Sequence, residues 1–361
     1  MNWTRCLSTL LLAFLGASTL DAQEEIVVVP PLSAPPLAPA VVASPLERFW
    51  LLPAVEVGWS RSQRVPISLV PGQSLDMGTR IGFSLTGGAW LDSEQIRGID
   101  ASVFFLEEGR REFSLFAPSD RVLLLPLKNS GLGRGRGRGN FFALSGPEVG
   151  IGAFQALAET DYQTADLNYR RSLLRTDEYR LDALVGYRYA RLSEGLHLYN
   201  KRMGGDGLLV RTKDHIHACN QFNGGQFGLT GEMQRGRWFF GGTGKLALGN
   251  ICTTTLAEGA FRVNGALDPY GFYTRPAVSG ERSHSGFAVM PTMNLNVGRQ
   301  ITDHMRVSVS YNFQYLSQVM RPSDVFDPTP SFVGGGEGMT RDATSSDFWV
   351  QSINAGIEWR Y

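Results

Sequence analysis

The feature that most constrains this chain is a two-residue alternation that runs to its last residue. In DFWVQSINAGIEWRY, Trp349, Ile353, Ala355, Ile357, Trp359 and Tyr361 share one parity. Ser352, Asn354, Gly356, Glu358 and Arg360 share the other, and Gln351 is out of step. Successive side chains of a strand point to opposite faces, so the chain ends on a strand with one apolar and one polar face. The same pattern fills VSVSYNFQY, RLDALVGYRYARL, QFGLTGEMQ and RWFFGGTGKLALG. FAVMPTMNLNVG follows it with Pro291 on the apolar parity, and GIDASVFFL follows it less cleanly near its end. An all-β chain is predicted.

Two architectures share this pattern. A soluble sandwich or barrel turns its apolar face inward. A membrane barrel turns it to lipid and keeps a polar lumen. Three features favour the membrane. Several runs reach the roughly 9–11 residues that a tilted membrane strand needs. Aromatic residues cluster near strand ends, at Trp90, Trp238, Tyr311, Tyr315, Trp349, Trp359 and Tyr361, as they do at membrane interfaces. Connections alternate in length. DSEQI, RTDE, RG and RQITDH are short, whereas segments near 60–78, 107–147, 193–218, 253–283 and 318–346 are long. Short periplasmic turns and long outer loops are the habit of outer-membrane barrels.

The reading is therefore a single antiparallel transmembrane β-barrel over residues 48–361, with strands near 49–59, 79–91, 97–106, 148–173, 179–192, 219–234, 237–252, 284–298, 305–317 and 347–361. That makes about ten strands; twelve stay open because the fourth segment is long enough for two. With short turns periplasmic, both chain ends are periplasmic too. Residues 1–22 read as a secretory signal: Arg5, then LSTLLLAFLGA, then Ala22 after small and polar residues. Cys6 precedes the apolar core, so no lipoprotein signal is present. Residues 23–47 are Pro- and Ala-rich and suit an extended periplasmic spacer. The formal net charge of zero argues against nucleic acid as the main partner.

Taken together, GIDASVFFLEEG, RLDALVGYRYARLSEGL, NGGQFGLTGEMQRGRWFFGGTGKLALGN, FAVMPTMNLNVGRQITDHMRVSVSYNFQYLSQVMRPSD and SSDFWVQSINAGIEWRY resemble the putative beta-barrel porin family seven. The resemblance covers most of the chain beyond residue 79. It implies an outer-membrane barrel of a diderm bacterium and says little about substrate. The terminal Asn354, Gly356, Trp359 and Tyr361 also resemble the C-terminal signal read by the barrel-assembly machinery. GLGRGRGRG at 131–139 departs from the family; it suits a solvated loop or contact with anionic lipopolysaccharide.

The polar parities nominate lumen residues: Asp182, Arg188, Gln226, Glu232, Lys245, Asn294, Asn296, Arg306, Asn312, Gln314, Asn354, Glu358 and Arg360, with Ser308 and Ser310 beside them. Both charge signs occur. A narrow porin for small polar solutes is the first reading. The alternative is a structural barrel with a plugged lumen whose loops or spacer bind partners. No catalytic, cofactor or metal site is expected: His215 and His217 share a face near Asp214 and Cys219, where a metal site is conceivable but not favoured, and Ser283–His284–Ser285 sends neighbours to opposite faces.

A disulfide between Cys219 and Cys252 is predicted, because a secreted chain folds in an oxidising compartment. With Arg235 and Gly236 as a two-residue turn, facing residues have numbers summing to 471, and the two cysteines face each other. At a non-hydrogen-bonded pair their Cα atoms lie about 4.5 Å apart, within the disulfide range. One bulge would slip the register and leave two free thiols.

Overall fold

The computed structural model describes residues 48–64, 74–127, 140–274, 276, 278–325 and 345–361. The signal, the spacer and the Gly–Arg run lie outside the described residues. Ten long strands follow one another: β1 Phe49–Ser60, β2 Arg80–Trp90, β3 Arg97–Ala117, β4 Ile151–Arg175, β5 Tyr179–Met203, β6 Leu209–Arg235, β7 Trp238–Val263, β8 Gly280–Thr302, β9 Met305–Val319 and β10 Ser346–Arg360. Each pairs antiparallel with its neighbours in sequence, and β10 closes the ring on β1. Closure leaves no sheet edge, the condition a sheet must meet in lipid. The seam extends to the last residue, since Phe49 N–H donates to the Tyr361 carbonyl and Tyr361 N–H to that of Phe49 (3.0 and 2.9 Å).

The strand count is ten, because the long fourth segment is one strand of 25 residues. Other expectations fail at the long-loop end. The connection placed at 193–218 is mostly strand: β5 runs to Met203, β6 starts at Leu209, and the turn between them is short. β3 and β7 likewise run on to Ala117 and Val263. The cause is a phase inversion. Near the short-turn end β5 points Ala183, Val185 and Tyr187 outward and Asp182 and Arg188 inward. Past Tyr189 the inward residues become Ala190, Leu192, Leu196 and Leu198, all buried, and the outward ones Arg191, Ser193 and His197. β6 inverts too, from outward Phe227 and Leu229 to inward Phe222, Ala218 and Ile216. The barrel thus has a lower storey built for lipid outside and an upper storey built, like a soluble barrel, for water outside.

The loss of alternation late in β3 has a local cause. A bulge between Leu106 and Gly109 moves the outward face from odd to even numbers. Trp90 also departs from its expected interfacial place. It is buried inside the barrel, 5.4 Å from the Trp50 ring and 4.1 Å from the Arg180 guanidinium.

Candidate functional site: the barrel interior

Every nominated lumen residue lies on the inward parity of its strand. The structure gathers most of them into three hydrogen-bonded groups, together with residues the sequence reading did not nominate. Asp166 is the hub of the largest. It accepts from Arg188 Nη1 (3.2 Å), Lys245 Nζ (3.0 Å), Asn168 Nδ2 (2.8 Å) and Ser102 Oγ (2.9 Å). Asn168 also donates to Asp100 (2.8 Å) and accepts from Gln226. Arg170 bridges Asp100 and Asp182, and Arg180 bonds Asp182. Nearer the turns, Arg306 bonds Glu232 (2.8 Å), while Arg360 bonds Glu358 and lies 3.7 Å from Glu232.

Glu56, fully buried, accepts from Ser84, Ser352, Asn354 and Asn312 at 2.6–3.4 Å. Asn294 donates in turn to Asn312. Asn296 stands beside the layer against Gly241, where an added Cβ would meet its amide oxygen at 2.1 Å.

Two contacts cross the whole lumen. Gln314 Oε1 on β9 accepts from Tyr162 Oη on β4 (3.0 Å) and from Arg188 Nη2 on β5 (2.9 Å). In a ring of ten, β4 and β9 are opposite walls. Directly above lies a buried apolar layer that includes Phe104, Tyr162, Phe222, Met290, Leu316 and Phe348. Tyr162 belongs to both layers: its ring lies 6.1 Å from Phe104 and 5.2 Å from Phe348.

Two connections turn into the upper storey. The chain after β9 turns inward, and Arg321 pairs with buried Glu194 (2.5 Å) and donates to the Ser62 carbonyl (2.9 Å). Asn220 holds Met320 at both backbone groups (2.8 Å each). Asp214 accepts from the N–H groups of Phe272, Tyr273 and Thr274 (3.2, 2.8 and 2.8 Å), fixing a second inward loop. Burial raises the Asp214 carboxyl above the ordinary range, against the opposing pull of those donors.

The predicted disulfide is not formed between Cys219 and Cys252. The turn is Gly236–Arg237, not Arg235–Gly236, so Arg235 faces Trp238. Gly236 has φ 59° and Arg237 is not among the residues of positive φ, the pattern of a Gly-first hairpin turn. The facing sum becomes 473. Cys219 faces Thr254 and Cys252 faces Gln221.

The sequence reading missed Glu56, Asp100, Asp166, Asn168 and Arg170. The signal was clearest for three of them: in TADLNYR, Asp166, Asn168 and Arg170 recur every second residue between Ala165, Leu167 and Tyr169.

A closed ten-strand ring with an apolar lower exterior and a polar interior defines an outer-membrane β-barrel. Residues 63–361 match the family Putative beta barrel porin-7 (BBP7), and the chain belongs to that family. No curated protein matches the sequence. Among solved structures the chain is similar to the outer membrane protease OmpT from Escherichia coli, at 13% identity and TM-score 0.47, covering 89% of this chain and 99% of that one. The translocator domain of the autotransporter NalP from Neisseria meningitidis is similar at 10% identity and TM-score 0.34, covering 87% and 88%. The P. putida toluene transporter TodX is similar at 10% identity and TM-score 0.23, covering 87% and 90%.

Proposed function

We propose that this chain is a structural outer-membrane barrel with a plugged lumen, its short turns and both ends of the barrel chain facing the periplasm. The observation that carries the reading is Gln314 holding Tyr162 and Arg188 from the facing wall, beneath a buried apolar layer. A barrel of eight strands is filled by side chains, and ten strands are only slightly wider. The layer pairs Asp100, Asp166, Asp182 and Glu232 with arginine or lysine partners, which supports a rigid ring rather than a path for solutes. The terminal Asn354, Gly356, Trp359 and Tyr361 then serve assembly, by presenting the closing strand to the insertion machinery.

The family description favours a second reading, a narrow pore. Planar-bilayer recording separates the two. Folded, heat-modifiable protein is expected to be silent; steady single-channel conductance would overturn the plugged reading and support the pore.

A further inference from the structure

The outward face of the upper storey carries a row of cations that the barrel itself does not need. Lys201 on β5, Arg211 on β6 and Arg262 on β7 face one another across three neighbouring strands, and all three are exposed. Like charges directly opposite on a sheet destabilise it. The row continues into Ala153 and Leu267, so no carboxylate sits in it. One row lower, Lys213 faces Tyr199 and Ala260, its Nζ 5.8 Å from the Tyr199 ring centroid. On this face Glu112 accepts from Gln155 (2.6 Å), and exposed Glu258 stands one row below Lys213, facing His215. A groove of about 590 Å³ runs across these strands; its lining is largely apolar, with Gln155, Tyr199, Lys201, Arg211, Lys213 and Arg262 among its residues. Exposed Phe116 lies at its β3 side.

Height decides which anion fits. The outward apolar run of β6 ends near Gly225, with Asn223 bonded by Tyr187 just above it. At about 3.3 Å per residue and a tilt of about 40°, Arg211 lies on the order of 30 Å beyond Asn223. Lipid headgroups occupy only roughly 5–8 Å on each side of the hydrocarbon. The cations stand above the headgroups, in the layer of surface glycan.

We propose that this groove binds an acidic glycan anchored in the outer leaflet, its phosphate or carboxylate groups on Lys201, Arg211, Lys213 and Arg262 and a sugar face on Tyr199. The inference rests on the orientation proposed above, with the long-loop end outside the cell. The pair Arg97 and Arg171, also outward and facing, stands at the short-turn end and supplies an internal control.

The test uses the full-length folded protein in detergent, titrated with phosphorylated core oligosaccharide released from lipopolysaccharide. Saturable, salt-sensitive binding is expected. The triple variant Lys201→Gln/Arg211→Gln/Arg262→Gln should weaken it roughly tenfold or more, Arg211→Gln alone less, and Arg97→Gln/Arg171→Gln not at all. Tyr199→Ala should weaken the oligosaccharide but not inorganic polyphosphate. Unchanged affinity in a triple variant that keeps its heat-modifiable mobility would overturn the proposal. So would equal affinity for the oligosaccharide stripped of phosphate with its carboxylates esterified, or for polyphosphate. An epitope inserted after Gly205 tests orientation separately. If it is hidden on intact cells while solution binding persists, the orientation fails and the site does not.

Discussion

At the scale of single residues, a side chain's direction sets its role. Leu229 points to lipid from the middle of the β6 apolar run and is 51% exposed. Leu229→Arg should cost about 2–4 kcal/mol near the midplane. Val122, 63% exposed, lies in the β3–β4 connection outside the belt, and Val122→Arg should be near neutral. Denaturant titration in lipid vesicles compares them, and equal costs would mean that β6 does not face lipid. Inside, the Glu56 carboxylate accepts from four neutral donors. Glu56→Gln replaces one acceptor oxygen with a donor aimed at donors and should cost about 1–3 kcal/mol. A neutral result in the same titration would show that the cluster rearranges freely. Glu56 was readable in principle, between Val55 and Val57. Its neutral partners were not, because Ser352 and Asn312 reach it from other strands and only closure of the ring brings them there.

At the scale of elements, a strand that crosses from lipid to water must exchange its two faces. The period-two pattern located all ten strands where they cross the belt. It lost β5, β6 and β7 above it, because their faces exchange character there and the change resembles an ending; β4 was read at nearly full length. The tight turn between β6 and β7 was legible, but its centre was not: RG and GR both supply a glycine, and only the observed φ of Gly236 separates them. One residue of turn placement moved the facing sum by two and parted the cysteines.

The upper storey makes a pH prediction. His197 and His215 stack at 4.1 Å between ring centroids, and His217 follows with Ser193 at 3.0 Å. All three are held below the ordinary histidine value, chiefly by burial. Lys213, Arg110 and Arg191 push the same way, while Glu159 and Glu258 oppose them. The unfolded chain therefore binds more protons as pH falls below about 6.5, and stability falls with it. Corrected for the intrinsic slowing of exchange in acid, protection should fall at the long-loop ends of β5 and β6 between about pH 7 and 5, with protection in the belt unchanged. Equal protection at both pH values would remove these histidines from the stability of that element.

At the scale of the whole molecule, a polar and an apolar layer are stacked in one lumen and Tyr162 is common to both. Its hydroxyl reaches Gln314 across the ring, and its ring packs between Phe104 and Phe348 in the apolar layer. The two contributions separate by substitution. Tyr162→Phe loses one hydrogen bond, which costs about 0.5–1.5 kcal/mol, but leaves the apolar layer filled. Tyr162→Ala with Phe348→Ala removes two rings from that layer and the Gln314 contact beneath it. The surrounding strands cannot collapse, because ring closure fixes their spacing, so the space fills with water drawn to the polar layer. Single-channel recording should find Tyr162→Phe silent and the double variant conducting in discrete steps, both with the heat-modifiable mobility of a folded barrel. A folded double variant as silent as the parent would place the decisive seal in the upper-storey loops held by Arg321 and Asp214. Conductance already present in Tyr162→Phe would place it in the single bond to Gln314.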